Sequence, residues 1–224
     1  MIYIGDSKIG GVKVGTDTIA SMMIGTDQVY SSSQLPAGYT ELPYVSSVDG
    51  GGWVDTDILP SDTLGFKAVF KAHVINPRDN NVMGAREDSG NTRYVLGIYN
   101  GKAFAAWLTY PSTSEQISIS ADTWYTASVN FNNSRTWSIN TTTKSLTGTQ
   151  GAFTKTFQLF GFNRAAGHGA ATESSVKRLT FTLGTDIIAD MIPCTSPNNE
   201  VGFYDIVRER FFGSGNGTPL IAGS

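Results

Sequence analysis

Apolar and polar side chains alternate one for one along several stretches of the chain. In GFKAVFKAHV, residues 65–74, Phe66, Ala68, Phe70, Ala72 and Val74 share one side, while Lys67, Lys71 and His73 take the other. In WYTASVNF, residues 124–131, Tyr125, Ala127, Val129 and Phe131 oppose Trp124, Thr126, Ser128 and Asn130. RLTFTLG, residues 178–184, follows the same rule with Leu179, Phe181 and Leu183 inward. A period of two is the signature of a strand with one buried side. NPRDNN, YNGK, NFNNS and GHGA, all rich in turn formers, separate such runs, and no helical period is found from Tyr39 onward. The pattern predicts an all-β fold, a two-sheet antiparallel sandwich of jelly-roll type.

A different pattern precedes it. IYIGDSKIGG, VKVGTDTIAS and MMIGTDQVYS align on Gly5, Gly15 and Gly25, ten residues apart. In each, an apolar residue precedes the glycine (Ile4, Val14, Ile24) and another follows the turn (Ile9, Ile19, Val29). Gly-Asp and Gly-Thr-Asp favour the positive φ of hairpin turns, so each phrase reads as strand, tight turn, strand. A short hairpin cannot bury enough surface to stand alone. Residues 1–30 are therefore expected to form a repeat that docks onto other proteins or onto copies of the chain, the alternative being an extra sheet folded onto the larger region. SSSQLPAG, residues 31–38, is a polar hinge carrying proline and glycine, and the sandwich is expected over residues 39–224.

Composition narrows the function. The 224 residues are 40% hydrophobic and 16% charged, enough apolar material for a core and too little charge for a disordered chain. The net charge is −3, with the sixteen lysines and arginines scattered singly, so nucleic acid is not an expected partner. No apolar run approaches the roughly 20 residues that span a bilayer. The first residues lack a basic start followed by an unbroken apolar stretch, so no secretory signal is read there. Cys194 is the single cysteine, which rules out an intrachain disulfide and reads as a small buried hydrophobe. The two histidines, His73 and His168, lie in no nucleophile motif.

Both ends of the larger region resemble a known family. LPAGYTELPYVSSVDGGGWVDTDILP is similar to the opening of concanavalin A-like (laminin-G-like) sandwich domains, with Trp53-Val54-Asp55-Thr56-Asp57-Ile58 as the second strand and GGG where a Gly-Thr turn is commoner. The closing phrase resembles their end through Ile192-Pro193-Cys194, Gly202-Phe203-Tyr204-Asp205, Phe211-Phe212, and Gly217-Thr218 with Gly223. Such domains occur in tail, fibre and head-decoration proteins of bacteriophages. The resemblance therefore implies a virion protein assembled in the host cytoplasm, a homo-oligomer with trimers usual in fibres, and a head that faces host surface polysaccharide. Some sandwiches of this group are glucanases with carboxylates spaced E-x-D-x-x-E on one strand. The nearest candidate, Glu200, Asp205 and Glu209, has the wrong intervals and sits at a glycine turn, so no enzyme is expected. Laminin-G-like domains also hold calcium at a sheet rim. The resemblance therefore singles out Asp79 and Asn80 (with Asn81), and Asp88 (with Asn91), as oxygen ligands, although Asx-rich turns are also ordinary hairpin chemistry. No other cofactor is expected.

Sugar-binding sandwiches stack sugar rings on exposed aromatics. Along TRYVLGIYNGKAFAAWLTYP, Arg93, Tyr99 and Trp107 are expected to share the less apolar side of a hairpin and to form a stacking platform. Trp124 and Trp137 read as packing, and His168 as a solvated residue of a small-residue loop. The reading is a fibre or decoration protein whose sandwich binds host glycans. A purely structural decoration protein is the alternative, and a polysaccharide depolymerase a third.

Overall fold

The structure is a computed structural model. It describes residues 3–4, 7–8, 13–14, 17–18, 21–24, 27–31, 34–47, 51–75, 80–87, 92–107, 115–130, 135–146, 152–164, 167–169 and 173–224. The chain divides into two compact units, Met1–Tyr39 and Thr40–Ser224.

The first unit holds three hairpins: Tyr3–Ile4 with Ser7–Lys8 (β1, β2), Lys13–Val14 with Asp17–Thr18 (β3, β4), and Ser21–Ile24 with Asp27–Ser31 (β5, β6). The decapeptide repeat reappears in their register, because Ile4 pairs with Ser7, Val14 with Asp17 and Ile24 with Asp27. Two residues separate the strands each time, the spacing of a tight hairpin. Among the described residues each hairpin is a two-stranded sheet of its own.

The second unit opens with Thr40–Glu41 (β7), Val45–Ser47 (β8), Val54–Asp55 (β9), Leu64–Ala72 (β10), Asn80–Arg86 (β11), Arg93–Tyr99 (β12) and Lys102–Trp107 (β13). It continues with Ile117–Ser118 (β14), Trp124–Asn130 (β15), Thr136–Ile139 (β16), Thr142–Ser145 (β17), Gln158–Leu159 (β18), Phe162–Arg164 (β19) and Gly167–Gly169 (β20). Ser174–Leu183 (β21), Asp186–Thr195 (β22), Val201–Asp205 (β23), Arg210–Phe212 (β24) and Ile221–Ala222 (β25) complete it. An eleven-stranded sheet runs β17-β16-β15-β10-β21-β22-β23-β24, with β8 against the first half of β21, β25 against β8 and β7 against β22. An eight-stranded sheet runs β14-β13-β12-β11-β18-β9, with β19 and β20 attached to β11. Among the described residues pairing is antiparallel except at the pair Ala85↔Asn163. Among the described residues there is no α-helix, and the protein is an all-β sandwich of two packed sheets.

The alternation read from the sequence explains the packing. Phe66, Ala68, Phe70 and Ala72 of β10 are buried, as are Leu179 and Phe181 of β21, while Lys67 and Lys177 are exposed. Tyr94, Leu96 and Ile98 of β12 meet them from the other sheet in one continuous core. Its centre is aromatic: Phe157 lies 5.5 Å from Phe66, 5.6 Å from Tyr94 and 5.1 Å from Phe181, centroid to centroid. The buried Tyr94 hydroxyl donates a 2.6 Å hydrogen bond to the Leu64 carbonyl, tying β12 to β10 across the two sheets. Burial pushes this phenol well above the usual tyrosine range. YNGK closes the β12–β13 hairpin with Asn100 at φ 49° and Gly101 at φ 74°, the two positive values a two-residue type I′ turn requires.

Three strand-level expectations are corrected. Leu183 is 46% exposed, because the strand has run past the core into the turn at Gly184. GHGA is not simply a turn: Gly167–Gly169 pairs with Phe162–Arg164, and His168 stands opposite Asn163 in that ladder. The outer side of the eight-stranded sheet is not polar either, since Val95, Phe104, Ala106 and Phe162 form a second apolar cluster there. Gly97 serves that cluster, because a Cβ at this position would come within 2.4 Å of the Phe104 ring. The expected inward position of Phe131 lies outside the described residues.

Candidate functional site

Of the expected platform, the side chains of Arg93 and Tyr99 are described and Trp107 is placed by its pairing alone. Tyr99 pairs with Lys102 across the Asn-Gly turn, so the ladder places Trp107 opposite Tyr94. Directly opposed residues share a side of a sheet, and Tyr94 belongs to the core side. Arg93 and Tyr99 occupy the alternate positions of β12, and the Trp107 side chain lies outside what is described. Tyr99 is 44% exposed, but Arg93 is buried and faces Arg86 in the register. Of the expected calcium ligands, Asn80 is placed only as the first residue of β11, opposite Ile98, while Asp79 and Asp88 lie outside the described residues. Among the described residues no three His, Cys, Asp or Glu side chains gather closely enough to hold a metal.

The side chains that do converge lie on the outer side of the eleven-stranded sheet. There β10 offers Lys67, Val69 and Lys71, and β15 offers Trp124, Thr126 and Ser128 in register with them. Trp124 is partly exposed, not core. Tyr44, just ahead of the buried Val45, meets it edge to face at 5.4 Å and 61°. The Tyr44 ring is held from behind by the C-terminal tail: Gly223 donates to the Tyr44 carbonyl at 2.8 Å, and only a residue without Cβ fits over the ring. Lys71 Nζ stands 5.1 Å from the Trp124 ring centroid and 5.3 Å from that of Tyr44.

A second lysine arrives through a β-bulge. On β21, Val176 pairs with Phe70 and Arg178 with Val69, leaving Lys177 as the extra residue. The insertion turns two consecutive side chains, Lys177 and Arg178, out of the sheet. Lys177 Nζ reaches 4.2 Å from the Trp124 centroid. Arg178 instead forms a two-point pair with Asp190, at 2.8 and 2.6 Å, whose hydrogen bonds hold the guanidinium above its usual range. The result is an indole flanked by two ammonium groups and a phenol, with Thr126 and then Ser128 further along the same side of β15. Such cation–π contacts contribute about 0.5–1 kcal/mol each at exposed positions. Trp124 shares its side with Thr126, Ser128 and Asn130 in the sequence, and that was the signal for its outward position; the bulge carrying Lys177 had none.

Beside this patch runs a chain with the atom order of a hydrolase triad. His73 Nδ1 is 2.6 Å from Asp122 Oδ1, and its Nε2 is 2.8 Å from Ser175 Oγ. The accessibility is the reverse of what catalysis needs. Ser175 is wholly buried and its hydroxyl is already 2.7 Å from that of Ser46, whereas the Asp122 side chain is 68% exposed. An electrophile has no approach to that oxygen, and the chain instead links β10, β21 and β8 with the turn at Asp122.

The nearby acidic residues of the closing phrase are structural as well. Asp205 is wholly buried and accepts hydrogen bonds from the backbone N–H groups of Asp190, Val207 and Arg208 at 3.0, 2.9 and 3.3 Å. The Arg208 guanidinium pairs with its other oxygen and donates to the Thr56 carbonyl at 2.8 Å. Arg208 and Arg210 both stand over the Phe212 ring, at 4.7 and 4.8 Å. Glu200 and Glu209 are exposed and outside this network. Cys194 is wholly buried between Gly202 and Glu41 of the adjoining strands. Burial above all, reinforced by the Glu41 charge, pushes its thiol up to about 12. At pH 8 an aromatic disulfide reagent is therefore expected to leave the native protein unlabelled and to titrate one thiol per chain in denaturant; rapid labelling of the native protein would contradict this burial.

Compared with known proteins, the chain matches no family model and no curated protein.

Proposed function

We propose that the protein is a non-enzymatic component of a bacteriophage virion, in which a concanavalin A-like sandwich binds host surface glycans and the N-terminal hairpins provide assembly. The observation that carries the glycan reading is the Trp124 face: a partly exposed indole braced by Tyr44, on a sheet side that also carries Lys67, Lys71, Thr126 and Ser128. Sugar rings stack on such indoles, and hydroxyl and ammonium groups at the border hydrogen-bond the sugar. The phage assignment follows from the resemblance of residues 39–224 at both ends. The test is binding of the full-length protein to a panel of bacterial surface polysaccharides, assayed in parallel for released reducing ends. Saturable binding without new reducing ends is the expected result; hydrolysis, or no binding to any polymer, would overturn the reading.

The hairpins support assembly through copies of the chain or through other virion proteins. A two-stranded ribbon is marginal in water, and the described hairpins find no third strand. Removal of residues 1–33 is expected to leave the sandwich cooperatively folded while abolishing oligomers seen by light scattering. Loss of the folded sandwich on truncation would instead make the repeat part of its core. A purely structural decoration role shares this expectation and differs only in showing no glycan binding.

A further inference from the structure

The lysines beside Trp124 narrow the ligand. A neutral sugar needs an aromatic face and hydroxyl partners, but it gains nothing from two cations held against that face. Here β21 carries a bulge whose extra residue is Lys177, and β10 presents Lys71 in register with Trp124 itself. Arg178, the neighbour of Lys177, has its charge answered by Asp190. Among the described residues no carboxylate lies within ion-pair distance of Lys71 or Lys177. Asp122 is engaged by His73, and the charge of Glu41 acts on Arg178. In a protein of net charge −3 this is a local concentration of positive charge, not a consequence of a basic chain.

We infer that the Trp124 face takes an acidic polysaccharide, with a sugar ring stacked on Trp124 and its carboxylate placed on Lys177 and Lys71. This inference rests on the glycan-binding reading and names the class of glycan. Carboxylate and ammonium pair by charge-assisted hydrogen bonds, and Tyr44, fixed by the tail, keeps the indole and Lys71 in place before the ligand arrives.

The experiment uses the full-length protein with three probes: oligomers of alginate, a polyuronate; dextran oligomers of matched length; and polyphosphate, an anion with no sugar ring. The expected result is saturable alginate binding that weakens with salt. Lys177→Gln should weaken it about threefold and Trp124→Ala about tenfold, with dextran and polyphosphate bound far more weakly. Lys177→Glu provides a second variant at an exposed position, so the inference stays testable if Trp124→Ala does not fold. Equal binding of dextran and alginate, unaffected by Lys177→Gln, would overturn the acidic preference while leaving glycan binding intact. Polyphosphate binding as tight as alginate and indifferent to Trp124→Ala would reduce the face to a cation patch and overturn the inference. Absence of saturable binding to alginate at low salt would overturn it too.

Discussion

Asp205→Asn is expected to destabilise the sandwich by about 3–5 kcal/mol at pH 7, the range for removing one partner of a buried ion pair. Asp205 is 0% exposed and holds three backbone N–H groups together with the Arg208 guanidinium. An asparagine keeps the shape but loses the charge, and its amide presents N–H to donors that need an acceptor. Arg208 is then left with its side chain largely buried and, besides the Phe212 ring, the Thr56 carbonyl as its hydrogen-bond partner. For a unit of this size the loss corresponds to a fall in melting temperature on the order of 10 °C. Burial by itself raises the Asp205 carboxyl, but the hydrogen bonds from Asp190, Arg208 and Val207 and the Arg208 charge outweigh it and hold the group below the usual aspartate range. The sign of the pH dependence follows. A carboxyl depressed in the folded state stabilises fully above its unfolded value, about 4, and this contribution is lost as pH falls through the folded value. Urea midpoints should therefore separate wild type from Asp205→Asn widely at pH 7 and progressively less below pH 4. A difference under about 1 kcal/mol at pH 7 would show that the Arg208 pair adds little beyond the turn.

Much of this fold is written in short-range pattern, and the places where pattern failed are instructive. The alternation in residues 65–74 and 124–131 gave the correct sides for β10 and β15, because each strand lies between a core and solvent. The Asn-Gly turn was legible too, since few residue pairs tolerate two positive φ values. That same turn fixes the register of the hairpin: a two-residue loop pairs Tyr99 with Lys102 and hence Tyr94 with Trp107, a pairing that each strand's alternation, read separately, does not carry across the turn.

Trp124 failed for a different reason. Its position in the alternation is a polar one, while its large indole reads as packing. The rest of the site could not be read at all. Tyr44 comes to Trp124 from β8, which is separated from β15 by β21 and β10 in the sheet. Lys177 reaches it only because a bulge inserts one residue opposite the Val69–Phe70 step, and nothing in KRLTF announces a bulge. The Ser175–His73–Asp122 chain likewise joins three segments distant in sequence, and its inverted accessibility is a property of the sheet interior.

Phe157→Ala should match Asp205→Asn in cost, by a mechanism with a different signature. The ring is 0% exposed and lies between the sheets, with Phe66 and Phe181 on one side and Tyr94 on the other. It comes from the segment before β18, anchored by backbone bonds: Phe157 donates to the Ile58 carbonyl at 2.7 Å and accepts from Thr56 N–H at 3.0 Å and from its hydroxyl at 2.7 Å. Those bonds survive truncation, so the segment cannot collapse into the space the ring leaves. The expected loss is about 3–5 kcal/mol, transfer and cavity contributions together, whereas Phe157→Leu, which fills most of the volume, should lose less than about 2 kcal/mol. Neither variant should change its pH dependence, in contrast to Asp205→Asn. The void, lined by three aromatic rings, should stay dry and accept benzene. Saturating benzene is therefore expected to raise the melting temperature of Phe157→Ala and leave that of wild type unchanged. A variant that is both little destabilised and blind to benzene would mean the core closes over the missing ring, and that Phe157 does not hold the two sheets together.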